Sequence, residues 1–154
     1  MPRKPKAAPP PPAPLLYLDS SALVKLWIAE PETAAVRRLV ADHAVCASSA
    51  LALPEIAATF ERARRGRRWT AEACAAASLD LQGRWRRLLS VRLGDDVALR
   101  AAVLAQKHGL RGADAVHLAS ALLLVSPNGP PVHFAAYDKD LARAAGEEGL
   151  TLAA

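Results

Sequence analysis

The stretch PLLYLDSSALVKLW, residues 14–27, decides how the rest of the chain is read. Leu15, Leu16, Tyr17 and Leu18 make an apolar run of the length of a buried strand, and Asp19 follows it directly. After Ser20 and Ser21, apolar residues recur at helical spacing, at Leu23, Leu26 and Trp27. A carboxylate between a strand and a helix has two readings. It is a helix N-cap, a position that favours Asp, or it stands at a strand end to do chemistry.

Outward from this point the chain alternates. A helix is expected from Ser20 to about Ala29, and a second in EPETAAVRRLVADH, with Pro31 near its first turn and Glu32 at its positive end. AVCAS reads as a small-residue strand, and SALALPEIAATFERARRG as a helix closed by Gly66. Thr70 caps the long helix AEACAAASLDLQGRWRRLL, and LSVRL is a third strand. Asp95 or Asp96 opens the helix DVALRAAVLAQKHG, which Gly109 ends, and GADAVHLASALLLV is one more helix. VHFAAY is the fourth strand, DKDLARAAGEEG the last helix and LTLA an edge strand. Such alternation predicts right-handed crossovers and a three-layer α/β/α domain with a parallel sheet, over residues 15–154. Residues 1–14, basic and rich in proline, are expected to form a flexible tail, either an arm that contacts a polyanion or extra upstream sequence.

A chain of 154 residues supports one core, and 52% hydrophobic residues argue against disorder. No apolar run reaches the roughly 18 residues of a membrane span, since Ala115 to Val125 is short and contains His117. Prolines stand where a signal peptide needs its apolar segment, so a soluble, cytoplasmic protein without a membrane partner is expected. Cys46 and Cys74 fit no metal spacing and read as small buried side chains. The net charge is +5, and nine of the fifteen arginines fall between residues 62 and 92. Arg62, Arg64, Arg65, Arg67 and Arg68 are therefore candidates for gripping the phosphates of a polyanion, against the plainer reading of a solvated helix face. Trp69 and Trp85 beside them suit base stacking, although tryptophan is more often core.

Parallel sheets bind ligands outside the C-terminal ends of their strands. Asp19 directly follows the first strand, Glu55 lies early in the helix after the second, Asp114 opens a helix and Asp138 directly follows the fourth strand. Each alone is explained by helix capping and the helix dipole. Together they repel, and keeping them ionised near neutral pH calls for a counter-cation. Hard divalent ions with oxygen ligands, Mg²⁺ or Mn²⁺, suit such a set. With an arginine-rich face nearby, the combination points to cutting a phosphodiester. His117, one turn after Asp114, reads as structural, His43, His108 and His133 have no partner spacing, and Glu30 reads as solvated. No glycine-rich phosphate loop or Ser-His-Asp order is present. A phosphatase of the haloacid dehalogenase type needs a second Asp two residues after the first, where Ser21 stands.

LYLDSSALVKL, LPEIAATFERARR, LRGADAVHLASAL and FAAYDKDLARAA closely resemble, in order and spacing, the four acidic motifs of the PIN domain, in particular those of VapC-type toxins. The resemblance covers about residues 15–152. It implies a sheet of order 3-2-1-4-5 and an Mg²⁺- or Mn²⁺-dependent endoribonuclease. Asp19, Glu55, Asp114 and Asp138 would form the catalytic acidic site, with Asp19, Asp114 and Asp138 as metal ligands and Ser21 as a nearby polar residue. The resemblance also implies a cognate antitoxin as partner, RNA as substrate and a homodimer. Where many relatives have Thr or Ser two residues before the last acid, this chain has Ala136, which leaves Asp140 as an alternative to Asp138 for approaching the metal. The alternative function is a non-catalytic PIN-like module that binds RNA or protein by its surface. The apolar faces of the first two helices (Leu23, Leu26, Trp27, Val36, Leu39, Val40) are the expected antitoxin surface.

Overall fold

In β1 (Leu15–Leu18) all four side chains are buried, and successive ones point to opposite faces of the sheet. Leu15 and Tyr17 enter one core, and Leu16 and Leu18 the other. An unbroken apolar run, with no polar alternation, is what a strand covered on both faces requires. β1 pairs in parallel with β2 (Val45–Ser49) on one side and β4 (Val132–Ala135) on the other. β3 (Leu89–Val91) lies outside β2 and β5 (Thr151–Leu152) outside β4, giving a parallel sheet of order 3-2-1-4-5, as expected. This architecture is that of a computed structural model, which describes residues 12–154. The expected tail therefore lies, for residues 1–11, outside the described residues.

Four helices cover the Leu16/Leu18 face: α1 (Ser20–Leu23), α2 (Thr33–Asp42), α3 (Ala52–Arg65) and α4 (Ala71–Trp85). Ala22, Leu23, Val36, Ile56, Phe60 and Leu81 form their contribution to the core. Trp69 joins this layer with its ring 5.2 Å from that of Phe60, and Trp85 packs on its margin, so both are core-facing. The Leu15/Tyr17 face carries α5 (Asp95–His108), α6 (Gly112–Leu123) and α7 (Lys139–Glu147), through Val97, Leu104, Leu118, Leu141 and others. α5 ends on Gly109, whose φ of 66° is the left-handed conformation a glycine adopts without strain, and the chain turns directly into α6.

Three local expectations are corrected. The first helix does not reach Ala29: α1 gives way to a 3₁₀ turn at Val24–Leu26. The Lys25 ammonium is drawn back to Glu30 and Glu32, and Pro31 disfavours helical backbone before it. That pairing also gives Glu30 a partner in place of simple solvation. Gly66 closes α3 as expected, at a right-handed φ of −76°, while the left-handed turn falls on Arg67 at 55°, because the Arg68 N–H reaches back 2.9 Å to the Ala63 carbonyl. Cys46 and Cys74 are free but only half-buried. Among the described residues no helix is long and apolar enough to cross a membrane.

Candidate active site

Asp19 continues the central ladder one step beyond β1, its N–H donating to the Ala135 carbonyl at 3.1 Å. Its extended backbone turns the carboxylate over the start of α1, where Oδ1 accepts from the Ala22 N–H at 2.8 Å. The Ser21 hydroxyl lies 2.8 Å from each carboxylate oxygen and donates to them, while its own oxygen accepts from the Tyr137 N–H at 3.1 Å. Ser21 thus ties the β1–α1 junction to the β4–α7 junction. Asp19 is an N-cap in geometry, yet it is only 3% exposed, far more buried than a cap requires. That burial pushes its carboxyl above the ordinary value, against the opposing pull of His117 and of the Ala22 and Ser21 bonds.

Asp138 caps α7, with Oδ1 accepting from the Asp140 and Leu141 N–H groups, each at 3.0 Å. Asp114 sits in the first turn of α6. The Arg111 guanidinium spans the two, Nε donating to Asp114 Oδ2 at 2.8 Å and Nη2 to Asp138 Oδ2 at 3.3 Å. Asp140 points elsewhere: its side chain is 81% exposed and stands 4.0 Å from Arg143. Arg111 therefore links Asp114 to Asp138 and not to Asp140.

Glu55, in the first turn of α3, meets the imidazole of His117: Oε2 is 2.9 Å from Nε2. The other ring nitrogen, Nδ1, is 3.0 Å from the Tyr17 hydroxyl. Partial burial raises the Glu55 carboxyl, but His117, with Ser20 and Arg111, outweighs it and holds the group below its ordinary value. His117 is buried, as expected of a structural histidine, and it also bonds a rim acid. Arg111 is the residue that sequence reasoning passed over, and His117 was read there as structural alone. Both lie three positions from Asp114, the spacing that places side chains on one helical face, and that was the available signal.

The four acids thus stand at strand ends and helix starts: Asp114 and Asp138 share Arg111, Glu55 meets His117, and Asp19 is held by Ser21 and the Ala22 N–H. Among the described residues, no three His, Cys, Asp or Glu side chains come together closely enough to hold a metal ion as they stand. Asp19, Asp114 and Asp138 offer carboxylate oxygens alone, the donor chemistry that hard Mg²⁺ and Mn²⁺ take.

The arginine cluster lies elsewhere on the same helix. With Glu55 in the first turn of α3 and Arg62, Arg64 and Arg65 in the last, a rise of ~1.5 Å per residue separates Glu55 from Arg65 by about 15 Å along the axis. Arg64 and Arg65 both bond Glu61 at 2.7 and 2.8 Å, and Arg62 donates to the Thr59 hydroxyl. Arg67 and Arg68 are exposed beyond the helix end. Of the apolar residues expected to face a partner, Leu23 and Val36 are fully buried core. Leu23, Leu26 and Val40 line a groove of about 250 Å³ with Cys46, Arg84 and Arg87.

Residues 16–147 match the profile described as PIN domain. The chain is 40% identical over 114 residues to Ribonuclease VapC45 of Mycobacterium tuberculosis (strain CDC 1551 / Oshkosh), covering 74% of this chain and 79% of that protein. It is 39% identical over 111 residues to Ribonuclease VapC46 of strain ATCC 25618 / H37Rv, covering 69% and 73%. Among solved structures it is similar to FitAcB from Neisseria gonorrhoeae, with a TM-score of 0.64 at 16% identity over 89% of this chain and 95% of that one. It is also similar to M. tuberculosis VapC20, described as a Sarcin-Ricin loop cleaving toxin, with a TM-score of 0.62 at 19% identity over 88% and 96%. At these identities the two structures show the shared fold.

Proposed function

The chain belongs to the PIN domain family, and on that premise we propose that it is a divalent-metal-dependent endoribonuclease, the toxin of a toxin–antitoxin pair. The observation that carries this reading is the buried Asp19 at the end of the central strand, 3% exposed and bonded by a hydroxyl and an amide, both neutral. A carboxylate sunk this far without a bonded cation is costly to ionise, and a site that needs it ionised needs positive charge supplied from outside. Asp19, Asp114 and Asp138 would hold Mg²⁺ or Mn²⁺, with Glu55 as the fourth acid. Such an ion supplies Lewis-acid stabilisation of phosphate oxygens and acidifies water.

The chain's own residues prepare that site. Ser21 and the Ala22 N–H orient the Asp19 carboxylate, and α7's first N–H groups hold one oxygen of Asp138. Arg111, its side chain 77% exposed, offsets the charge of Asp114 and Asp138 and is placed to meet an RNA phosphate, which its fork pairs well. RNA is the substrate class because the relatives at about 40% identity are named ribonucleases. The partner follows from structural neighbours described as toxin–antitoxin assemblies, among them one from Klebsiella pneumoniae. The groove beside Leu26 and Val40 is the surface assigned to an antitoxin segment, a homodimer belongs to the same proposal, and the cytoplasm is the expected site of action.

The deciding experiment is RNA cleavage by the purified full chain. Cleavage is expected with Mg²⁺ or Mn²⁺ and is expected to stop with EDTA and on adding a co-expressed antitoxin. Cleavage undiminished in EDTA overturns the metal-dependent mechanism. RNA bound but left intact at every Mn²⁺ concentration returns the chain to a binding module without catalysis.

A further inference from the structure

We propose that His117 is a positioning residue for Glu55, and that the Tyr17 hydroxyl sets it to that task by fixing which imidazole nitrogen carries the proton. The inference rests on the reading of the acid rim as the active site.

Tyr17 is an unusually rigid anchor. It lies on the central strand with no exposed surface and stacks on Phe134 with ring centroids 5.4 Å apart and planes 3° from parallel. An ionised carboxylate can only accept, so His117 Nε2, 2.9 Å from Glu55 Oε2, is the ring nitrogen that donates there. In a neutral imidazole the other nitrogen, Nδ1, is then the acceptor, and the Tyr17 hydroxyl 3.0 Å away donates to it. An imidazole that accepts at Nδ1 carries its proton on Nε2, and Nε2 is the nitrogen 2.9 Å from Glu55 Oε2. The direction of the whole chain follows: Tyr17 O–H to Nδ1, Nε2–H to the Glu55 carboxylate. Were the tautomer reversed, the Nε2 lone pair would face the Glu55 carboxylate, two acceptors with no proton between them.

Glu55 needs such a tether. Its side chain has three rotatable torsions and is 30% exposed, whereas the His117 side chain is 2% exposed and packed in α6. A partly exposed carboxylate bonded to a buried, oriented donor keeps one position. A histidine that merely filled the core would not need to aim its one N–H at an acid of the rim. The (i, i+3) spacing of Asp114 and His117 on α6 lets one rigid helix set two acids at once, one directly and one through the imidazole.

The test uses the full chain with three substitutions: His117→Leu, His117→Gln and Tyr17→Phe. Gln can present an amide N–H near the position of Nε2, and Leu cannot. Loss of an outer hydrogen-bond partner of this kind typically costs about 10–100-fold in activity. On a fluorogenic RNA hairpin, kcat is expected to fall by that range in His117→Leu with KM little changed, and to recover in part in His117→Gln. Nitrogen-15 NMR of the imidazole, which needs no substrate, is expected to show the Nε2–H tautomer in the wild type and a mixture in Tyr17→Phe. An Nδ1–H tautomer in the wild type overturns the proposal whatever the kinetics. So does a folded His117→Leu variant with wild-type kcat. Asp19→Asn and Glu55→Gln serve as controls: activity retained in those sinks the active-site reading itself. Activity lost there but kept in His117→Leu sinks only the role of His117.

Discussion

α3 carries a glutamate network at each end, and the two are built oppositely. At its start Glu55 bonds a single imidazole that is itself buried and bonded to Tyr17, 62 and 100 residues being spanned by the two contacts. At its end Glu61 bonds Arg64 and Arg65, three and four residues away on the same helix. Glu61 is held lower, at about 2, by its bonds to Arg64 and then Arg65, yet its arginine partners are exposed, Arg65 to 76%. Water screens such pairs, and most contribute little to stability. The Glu55 network has fewer charges, but each is placed by tertiary packing. The size of a pKa shift is therefore a poor guide to consequence here, and the burial of the partner is a better one.

The largest expected effect separates the two ends by activity. Asp19→Asn and Asp114→Asn are each expected to lower RNA cleavage by roughly 10⁴-fold or more, the scale of loss when one member of a catalytic unit is removed. Glu61→Gln should leave it within about twofold, as befits a solvent-screened pair. Comparable losses at both ends would erase the distinction.

A smaller effect is thermodynamic and needs no RNA. Excess Mn²⁺ is expected to stabilise the wild type by about 2.7 kcal/mol at a hundred times its dissociation constant, and Asp19→Asn to lose most of that gain. Asn keeps a capping oxygen for the Ala22 N–H while removing the buried charge. Because the folded pKa of Asp19 is raised, its contribution to stability is full below the ordinary carboxylate pKa and is lost as pH rises through the folded value. In EDTA at pH 7 the variant should thus melt as high as the wild type or higher, and the gap should close on acidification. Equal Mn²⁺ shifts in both proteins would leave Asp19 as a cap alone.

The smallest effect concerns the arginines. If they grip phosphates, Arg65→Glu with Arg68→Glu should weaken RNA binding and flatten its salt dependence, by roughly one unit of slope for each phosphate left without its arginine. An unchanged slope assigns them to solvent and to Glu61.

Much of this was legible in the chain. The apolar run Leu15–Leu18 revealed a strand buried on both faces, and the alternation of strands and helices revealed a parallel three-layer domain. The resemblance to PIN-domain motifs supplied the sheet order. The positions of Asp19, Glu55, Asp114 and Asp138 at strand ends and helix starts were readable for the same reason: capping and helix onset are local, set within three or four residues. The 3₁₀ turn after α1 was not readable, because it depends on where Lys25 finds Glu30 and Glu32.

What the sequence alone determined is which side chains share a helical face, such as Asp114 and His117. Only the tertiary structure decided that Arg111 would meet Asp138, 27 residues on, and that His117 would lie between Tyr17 and Glu55. The reason is one of length scale. Spacing along a helix orients a side chain, but a hydrogen bond forms only within about 3 Å, and distances that short between remote residues are settled by how the layers pack.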